Sequence, residues 1–217
     1  VKFFYYGGGS SSMDNKTVPS KSGRDVERFN RWAPRYDQSV MQRLLFGPVH
    51  SKMLDLLITK GPKNPPRRII DVGCGTGRLL RAASAYWPEA ELLGVDPAGQ
   101  MISEAQRLNP KAIFKVASSE SLPFPDHTAD IALSSVSFHH WSDQKKGLQE
   151  IARVLRPDGW FCLADITFLL AKWFERLGGK VRSRQQIRAQ VLGAGLRVLQ
   201  QQNLRMRFML ITLAQKS

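Results

Sequence analysis

Residues 69–80 read Ile69-Ile70-Asp71-Val72-Gly73-Cys74-Gly75-Thr76-Gly77-Arg78-Leu79-Leu80: an apolar run, glycine at every second position of the next five, then a new apolar–polar pattern. Glycine is required where φ is positive or where a ligand approaches the backbone too closely for a Cβ. The segment therefore predicts a strand that turns into a helix around a backbone-lined hollow. Its G-x-G-x-G spacing departs from the G-x-G-x-x-G of dinucleotide sites and lacks the closing Gly-Lys-Ser/Thr of a P-loop, which argues against a pyrophosphate ligand. Further on, Val95-Asp96-Pro97 places a carboxylate at the end of the next apolar run, where it can accept hydrogen bonds from two ribose hydroxyls. A nucleoside without a phosphate bridge suits both features.

The surrounding chain alternates in the same way. Arg68–Val72, Glu91–Val95, Ala112–Val116, Ala129–Ser134 and Gly159–Ala164 read as strands, and Arg78–Tyr86, Ala98–Leu108 and Asp143–Leu155 as helices. Such alternation predicts an α/β fold of βαβ units, a mostly parallel sheet with helices on both faces. Beyond it lie an amphipathic stretch Thr167–Leu177, a helix over Ser183–Leu192 ended by Gly193 and Gly195, and closing strands Leu196–Gln202 and Arg207–Ala214. Upstream, Val26, Phe29 and Trp32 recur at helical spacing as far as a break at Ala33-Pro34, and Val49 to Leu57 resume the pattern after Pro48. These segments predict an N-terminal helical cap over 24–60, a proline-rich linker Gly61–Pro66, and the main domain over 67–217 with a lid insert near 166–182. The aromatic and Gly/Ser stretch 1–12 ahead of Met13 is expected to be a fusion scar, and 13–23 a mobile segment.

The 217 residues suit one domain with one sizeable core, and 42% hydrophobic residues exclude a disordered chain. No apolar run approaches the ~18 residues of a membrane span. Two cysteines, Cys74 and Cys162, exclude a disulfide framework and point to a reducing compartment, hence a cytoplasmic location. The net charge of +14 is uneven: residues 1–68 carry 13 basic and 5 acidic side chains, 69–165 carry 9 and 12, and 166–217 carry 10 and 1. The basic ends suggest an anionic partner, whether an acidic small molecule, a membrane surface or nucleic acid.

Asp71-x-Gly-x-Gly-x-Gly with Asp96 resembles the first motif and acidic loop of class I S-adenosylmethionine-dependent methyltransferases. The resemblance continues through Val116-Ala-Ser-Ser-Glu-Ser-Leu-Pro-Phe-Pro125, Asp130-Ile-Ala-Leu-Ser-Ser135, Phe138-His-His-Trp141 and Ile151-Ala-Arg-Val-Leu-Arg-Pro-Asp-Gly159. It is closest to the small-molecule branch that includes ubiquinone/menaquinone-biosynthesis C-methyltransferases. It implies a Rossmann-like seven-stranded sheet with an antiparallel last strand, and S-adenosylmethionine as cofactor with S-adenosylhomocysteine as product. Under that resemblance Gly73, Cys74, Gly75 and Gly77 line the methionine moiety and Asp71 lies near its amino group. Asp96 holds the ribose, with Pro97, Ala98 and Met101 packed nearby, and Ser118 and Ser119 sit at the adenine edge. At Ser118 the family usually has Asp, so a serine hydroxyl or Glu120 must take over that contact. Ser134 and Ser135 reach the sulfonium side. Arg-Pro-Asp158-Gly159 stands where the family has Arg-Pro-Gly-Gly. Arg31-Trp32-Ala33-Pro34-Arg35-Tyr36-Asp37 resembles the W-A-x-x-Y-D segment of related enzymes, which implicates Tyr36 in closing over the cofactor.

A sulfonium methyl is already a strong electrophile, so the protein's work is to align a nucleophile and exclude water, without a metal. A nucleophile that carries a proton needs a base, and His139, ahead of His140, is the expected residue. His50 and His127 read as surface or capping residues, Cys74 as a small packing residue and Cys162 as core. Trp32, Phe138, Phe168 and Trp173 are expected to cover the substrate. In Thr167–Lys180 aromatics alternate with Lys172, Arg176 and Lys180, which suits an apolar substrate bearing an anionic group or contact with an anionic membrane surface. The expected function is methyl transfer to a small, apolar or aromatic, anionic or lipid-like acceptor. Two alternatives stay open: RNA methylation, disfavoured because Ser135-Val-Ser-Phe138 replaces an Asn/Asp-Pro-Pro-Tyr/Phe motif, and a catalytically silent cofactor-binding partner subunit.

Overall fold

The computed structural model describes residues 21–37, 46–167, 180–204 and 208–217. Helices α1 (Lys21–Tyr36) and α2 (Gly47–Lys60) come first. They are followed by β1 (Arg68–Val72), α3 (Arg78–Ser84), β2 (Glu91–Asp96), α4 (Gly99–Leu108), β3 (Ile113–Val116) and β4 (Ala129–Ser135). After a 3-10 turn at Phe138–His140 come α5 (Gln144–Val154), β5 (Leu155–Ile166), α6 (Arg184–Gly193), β6 (Leu196–Leu204) and β7 (Met209–Lys216). The seven strands form one sheet in the order β3-β2-β1-β4-β5-β7-β6. Pairing is parallel from β3 to β5, and β7 runs antiparallel to both β5 and β6.

Successive strand residues point to opposite faces, so each buried strand feeds two cores. Ile69, Leu92, Ile131, Leu133 and Cys162 pack on α2, α3 and α4. Ile70, Val72, Leu93, Ala132 and Phe161 pack on α5 and α6. Met53, Leu54 and Leu57 of α2 are at most 1% exposed, and each such side chain contributes roughly 1.5–3 kcal/mol of hydrophobic stabilisation. So α2 is part of the domain core, and only α1 behaves as a cap. It lays Val26, Phe29 and Ala33 on Ala98 and Met101 at the start of α4.

Local chemistry explains the helix starts. Asp143 caps α5 by accepting the Lys146 amide at 3.0 Å. Ser183 and Gln186 form a reciprocal capping box at α6. The structure departs from the expected elements at two points. Helix α1 runs through Ala33-Pro34 instead of stopping, with Pro34 in its final turn. A proline there gives up one backbone hydrogen bond with little helix left to disturb, while buried Ala33 anchors the turn on α4. Strand β5 begins at Leu155 rather than Gly159, because Leu155 pairs with Ala129 before Arg156-Pro157-Asp158 loop out and Trp160 rejoins Ile131. Asp158 adopts φ +61°, the left-handed conformation that glycine takes most easily. The amphipathic segment with Phe168 and Trp173 lies outside the described residues. No described helix is long and apolar enough to cross a membrane.

Candidate functional site

The strand order reverses between β1 and β4, and in open α/β sheets ligands bind at such a switch point, beyond the carboxyl ends of the strands. There the chain leaves β1 through the glycine loop. Gly73 and Cys74 both donate to the Val95 carbonyl, at 2.8 and 3.0 Å, and Gly77 donates to the Cys74 carbonyl at 2.9 Å. Gly73, Gly75 and Gly77 all have positive φ. The loop is thereby tied to the end of β2, where Asp96 completes it: its Oδ2 accepts the Gly75 amide at 3.0 Å and its Oδ1 the Ala98 amide at 2.9 Å.

A cleft opens over these strand ends, with about 810 Å³ of empty space that is partly open to solvent. Gly73, Gly75, Asp96, Pro97 and Met101 form its floor, and Tyr36 on α1 covers the Gly75 side. Ser118, Ser119 and Glu120 line one end. Burial works to raise the Glu120 carboxyl, but the amides of Asp143 and of Glu120 itself and the hydroxyls of Ser118 and Ser119 outweigh it and hold it below its usual range. A smaller hollow of about 380 Å³ shares Tyr36, Gly73, Gly75, Ser135 and Val136 with the cleft and adds Asp71, Cys74, Arg78 and His50.

Two buried atoms at this junction lack hydrogen-bond partners among the described residues, Asp71 Oδ1 and Ser135 Oγ. Leaving such groups unsatisfied is costly. Burial, and secondly the Asp96 charge, push the Asp71 carboxyl up to about 8. Burial likewise pushes Asp96 up to about 6 against its two amide bonds. A cation brought into the hollow satisfies Asp71, and hydroxyl donors satisfy the remaining lone pairs of Asp96. These residues fit a nucleoside that carries both positive charge and a ribose, as S-adenosylmethionine does. Val136, a β-branched residue at the mouth of both cavities, is held at φ +54°. Such backbone strain costs of order 1–3 kcal/mol and collects at functional sites.

The structure sorts the remaining expected residues. Ala98 and Gly77 do not line the cleft: Ala98 precedes α4, and Gly77 turns against the Phe114 ring. Cys74 faces the smaller hollow, its thiol pushed well up by burial, as a packing residue beside Gly94. Cys162 is core. Ser134 is buried, bonded to Ser137 Oγ at 2.8 Å, so Ser135 alone of the two serines reaches the cavities. Phe138 is 1% exposed in the core beneath α5 and is not a cover. Trp32 stands on the outside of α1, 42% exposed, edge-on to Tyr36. His50 is not at the surface; burial, then Arg78, lowers it to about 4. His139 lies behind the cleft, 2% exposed, with Nδ1 2.7 Å from Asp165 Oδ1. His140 faces the cleft. Their turn is pinned by Gln144, which donates to the carbonyls of Phe138 and Lys180. Cleft residues that sequence reasoning missed include Asp25, Val26 and Phe29 of α1 and Val136 and Ser137 after β4. Val26 and Phe29 carried the helical period, but no local signal showed what they cover.

Comparison with known proteins agrees with this geometry. A family model described as a methyltransferase domain matches residues 70–163. The malonyl-[acyl-carrier protein] O-methyltransferase of Hahella chejuensis is 30% identical over 194 residues, covering 84% of this chain and 67% of that protein. The demethylmenaquinone methyltransferase of Thermus thermophilus is 36% identical over 139 residues, 60% of each chain. The chain spans about half the length of other curated relatives it matches. Among solved structures, a putative methyltransferase of Haloferax volcanii in complex with the Trm112 activator superposes with a TM-score of 0.73 at 22% identity, covering 86% of this chain and 96% of that one. At that identity the likeness is one of fold.

Proposed function

Given that the chain belongs to the class I S-adenosylmethionine-dependent methyltransferases, we propose that it transfers the sulfonium methyl group of that donor to a small-molecule acceptor in the cleft. The observation that carries this reading is the pairing of the glycine loop with Asp96 beside an unsatisfied Asp71. Asp96 holds the ribose, the loop amides and Asp71 hold the methionine end, and Ser118, Ser119 and Glu120 border the adenine. When bound, the donor supplies an electrophilic methyl group. The protein's residues then position the acceptor against it: Val26, Phe29, Met101 and Val136 give apolar walls that exclude water. Relatives are named for methyl transfer to demethylmenaquinone and to malonyl-[acyl-carrier protein], and a small-molecule acceptor is the reading these names support.

The test is transfer of labelled methyl from S-adenosylmethionine into fractions of a cell extract, with mass determination of the product. Label is expected in a low-molecular-weight fraction. Label confined to RNA, or no label despite donor binding, overturns the reading.

The two raised carboxyls add a pH dependence. Asp71 and Asp96 ionise near 4 in an unfolded chain, but at about 8 and 6 when folded. The ligand-free fold therefore binds more protons than the unfolded chain between those values, and its stability falls as pH rises from about 4 to about 8. The ammonium group of S-adenosylhomocysteine at Asp71 and its ribose hydroxyls at Asp96 favour the ionised carboxylates, so its affinity rises over the upper part of that window. Thermal unfolding with and without S-adenosylhomocysteine should show a lower ligand-free midpoint, and a larger ligand-induced increase, at roughly pH 8.5 than at roughly pH 5.5. Equal increments at the two pH values would show that neither carboxylate meets the ligand.

A further inference from the structure

Residues 25 and 140 lie far apart in the chain and meet at the acceptor side of the cleft. Asp25 sits on the cleft face of α1, its Oδ1 held 3.2 Å from Arg28 Nη2 one turn further on. Its Oδ2 lies 3.4 Å from His140 Nδ1. That nitrogen is buried and makes no hydrogen bond, so a small closure of α1 supplies its missing partner. The imidazole is confined on two sides: Phe29 meets it edge-on at 5.2 Å and His139 lies 4.0 Å behind it. His139 is itself engaged with Asp165 and does not reach the cleft.

The groups around the ring define its charge. Burial is the largest influence on His140 and lowers its pKa; His139 and Arg28 push the same way, while Asp25 and Asp165 pull against them. The surroundings thus favour the neutral ring. A neutral imidazole whose Nδ1–H points to Asp25 keeps its lone pair on Nε2.

The cleft wall adds a second constraint. It carries Asp25, Asp96 and Glu120, and no Lys or Arg among the described residues. Among the described residues an anionic acceptor would meet like charge there and no basic side chain. A carboxylate acceptor is also already deprotonated and gives a base nothing to do.

We infer that Asp25 positions His140 as the proton acceptor of the reaction, and that the acceptor is an uncharged molecule arriving with a proton on its nucleophilic atom. The inference rests on the methyl-transfer reading above. His140 Nε2 takes that proton, and the nucleophile's electron pair forms the new bond to the methyl carbon. The carbon–sulfur pair stays with the sulfur, leaving a neutral thioether and an imidazolium. His140 is the catalytic residue and Asp25 the positioning residue. This puts His140 ahead of His139 and an uncharged acceptor in place of the anionic one that the basic chain ends suggested.

The test is long-range proton–nitrogen NMR on the full chain labelled with 15N-histidine, His140 being assigned by its loss in His140→Gln. In the parent protein at pH 7 the Nδ1–H tautomer is expected to exceed the Nε2–H tautomer by about tenfold or more, the value of a hydrogen bond to a charged group. Asp25→Ala should reverse that ratio and Asp25→Glu should recover part of it, a signature that a merely structural carboxylate would not give. An Nε2–H or charged ring in the parent, or the same tautomer in Asp25→Ala, overturns the assignment. The product of the labelled-methyl experiment tests the acceptor. A product whose label survives mild alkali supports an acceptor that arrived with a proton on its nucleophilic atom, and release of labelled methanol marks a methyl ester and overturns it. Failure to bind S-adenosylhomocysteine would instead sink the methyl-transfer reading, with the tautomer result standing on its own.

Discussion

Asp96→Ala is expected to weaken S-adenosylhomocysteine binding by at least about a hundredfold, measured by calorimetry. Hydrogen bonds to a charged group contribute about 1.5–3 kcal/mol each, so the loss of two ribose contacts already reaches that range. The substitution also frees the Gly75 and Ala98 amides, which Asp96 holds at 3.0 and 2.9 Å, so the loop that receives the ligand loses its brace. Asp96→Asn keeps an acceptor oxygen but not the charge, and should fall between the two. Affinity within about threefold of the parent for Asp96→Ala would place the nucleoside elsewhere and remove the basis for every other cofactor residue named above.

Gly73→Ala should lower the stability of the ligand-free protein by about 2–5 kcal/mol in urea unfolding. The left-handed backbone costs an L-residue roughly 1–2 kcal/mol, and overpacking adds about 1–3 kcal/mol. Both apply here: Gly73 has φ +76°, and a Cβ on it would come within 2.3 Å of Ser137 Oγ. Ser137 cannot easily yield, because its hydroxyl bonds the Val72 carbonyl at 3.0 Å and touches Ser134 Oγ at 2.8 Å. Gly193→Ala is the control. That glycine ends α6, and a methyl group added to it would meet nothing within 4 Å, so alanine should stabilise by roughly 0.5–1 kcal/mol. A Gly73→Ala protein as stable as the parent would mean that the loop relaxes, and that its shape is not what forms the site.

Much of the sheet is legible in the chain because parallel strands buried on both faces read as short, nearly continuous apolar runs. Ile69–Val72 and Leu92–Val95 show this, and the start of α6 is legible in Ser183 and Gln186, whose spacing is that of a capping box. Where local pattern fails, tertiary contacts have decided the outcome. Pro34 looks like a helix end until Ala33 is seen buried on α4. The early start of β5 depends on Leu155 pairing with Ala129, a contact that no window of sequence contains. The floor of the cleft was legible because its residues lie in motifs that end strands. The acceptor side was not: His139 and His140 are adjacent on a 3-10 turn, and only the Asp165 carboxylate on β5 shows which ring is drawn inward. Asp25 had no signal in the sequence, since its role exists only in contact with His140.

Helix α1 has one further consequence. Its last turn places Tyr36 over the glycine loop, and Asp37 just beyond is bonded to Thr76 and Arg81, while its earlier turns supply Val26 and Phe29 to the acceptor wall. A rigid rod of about four turns cannot swing clear of one compartment while still roofing the other. Among the described residues, spent donor and methylated product would accordingly lie under one roof, and anything that slows the lifting of this rod would hold both inside together.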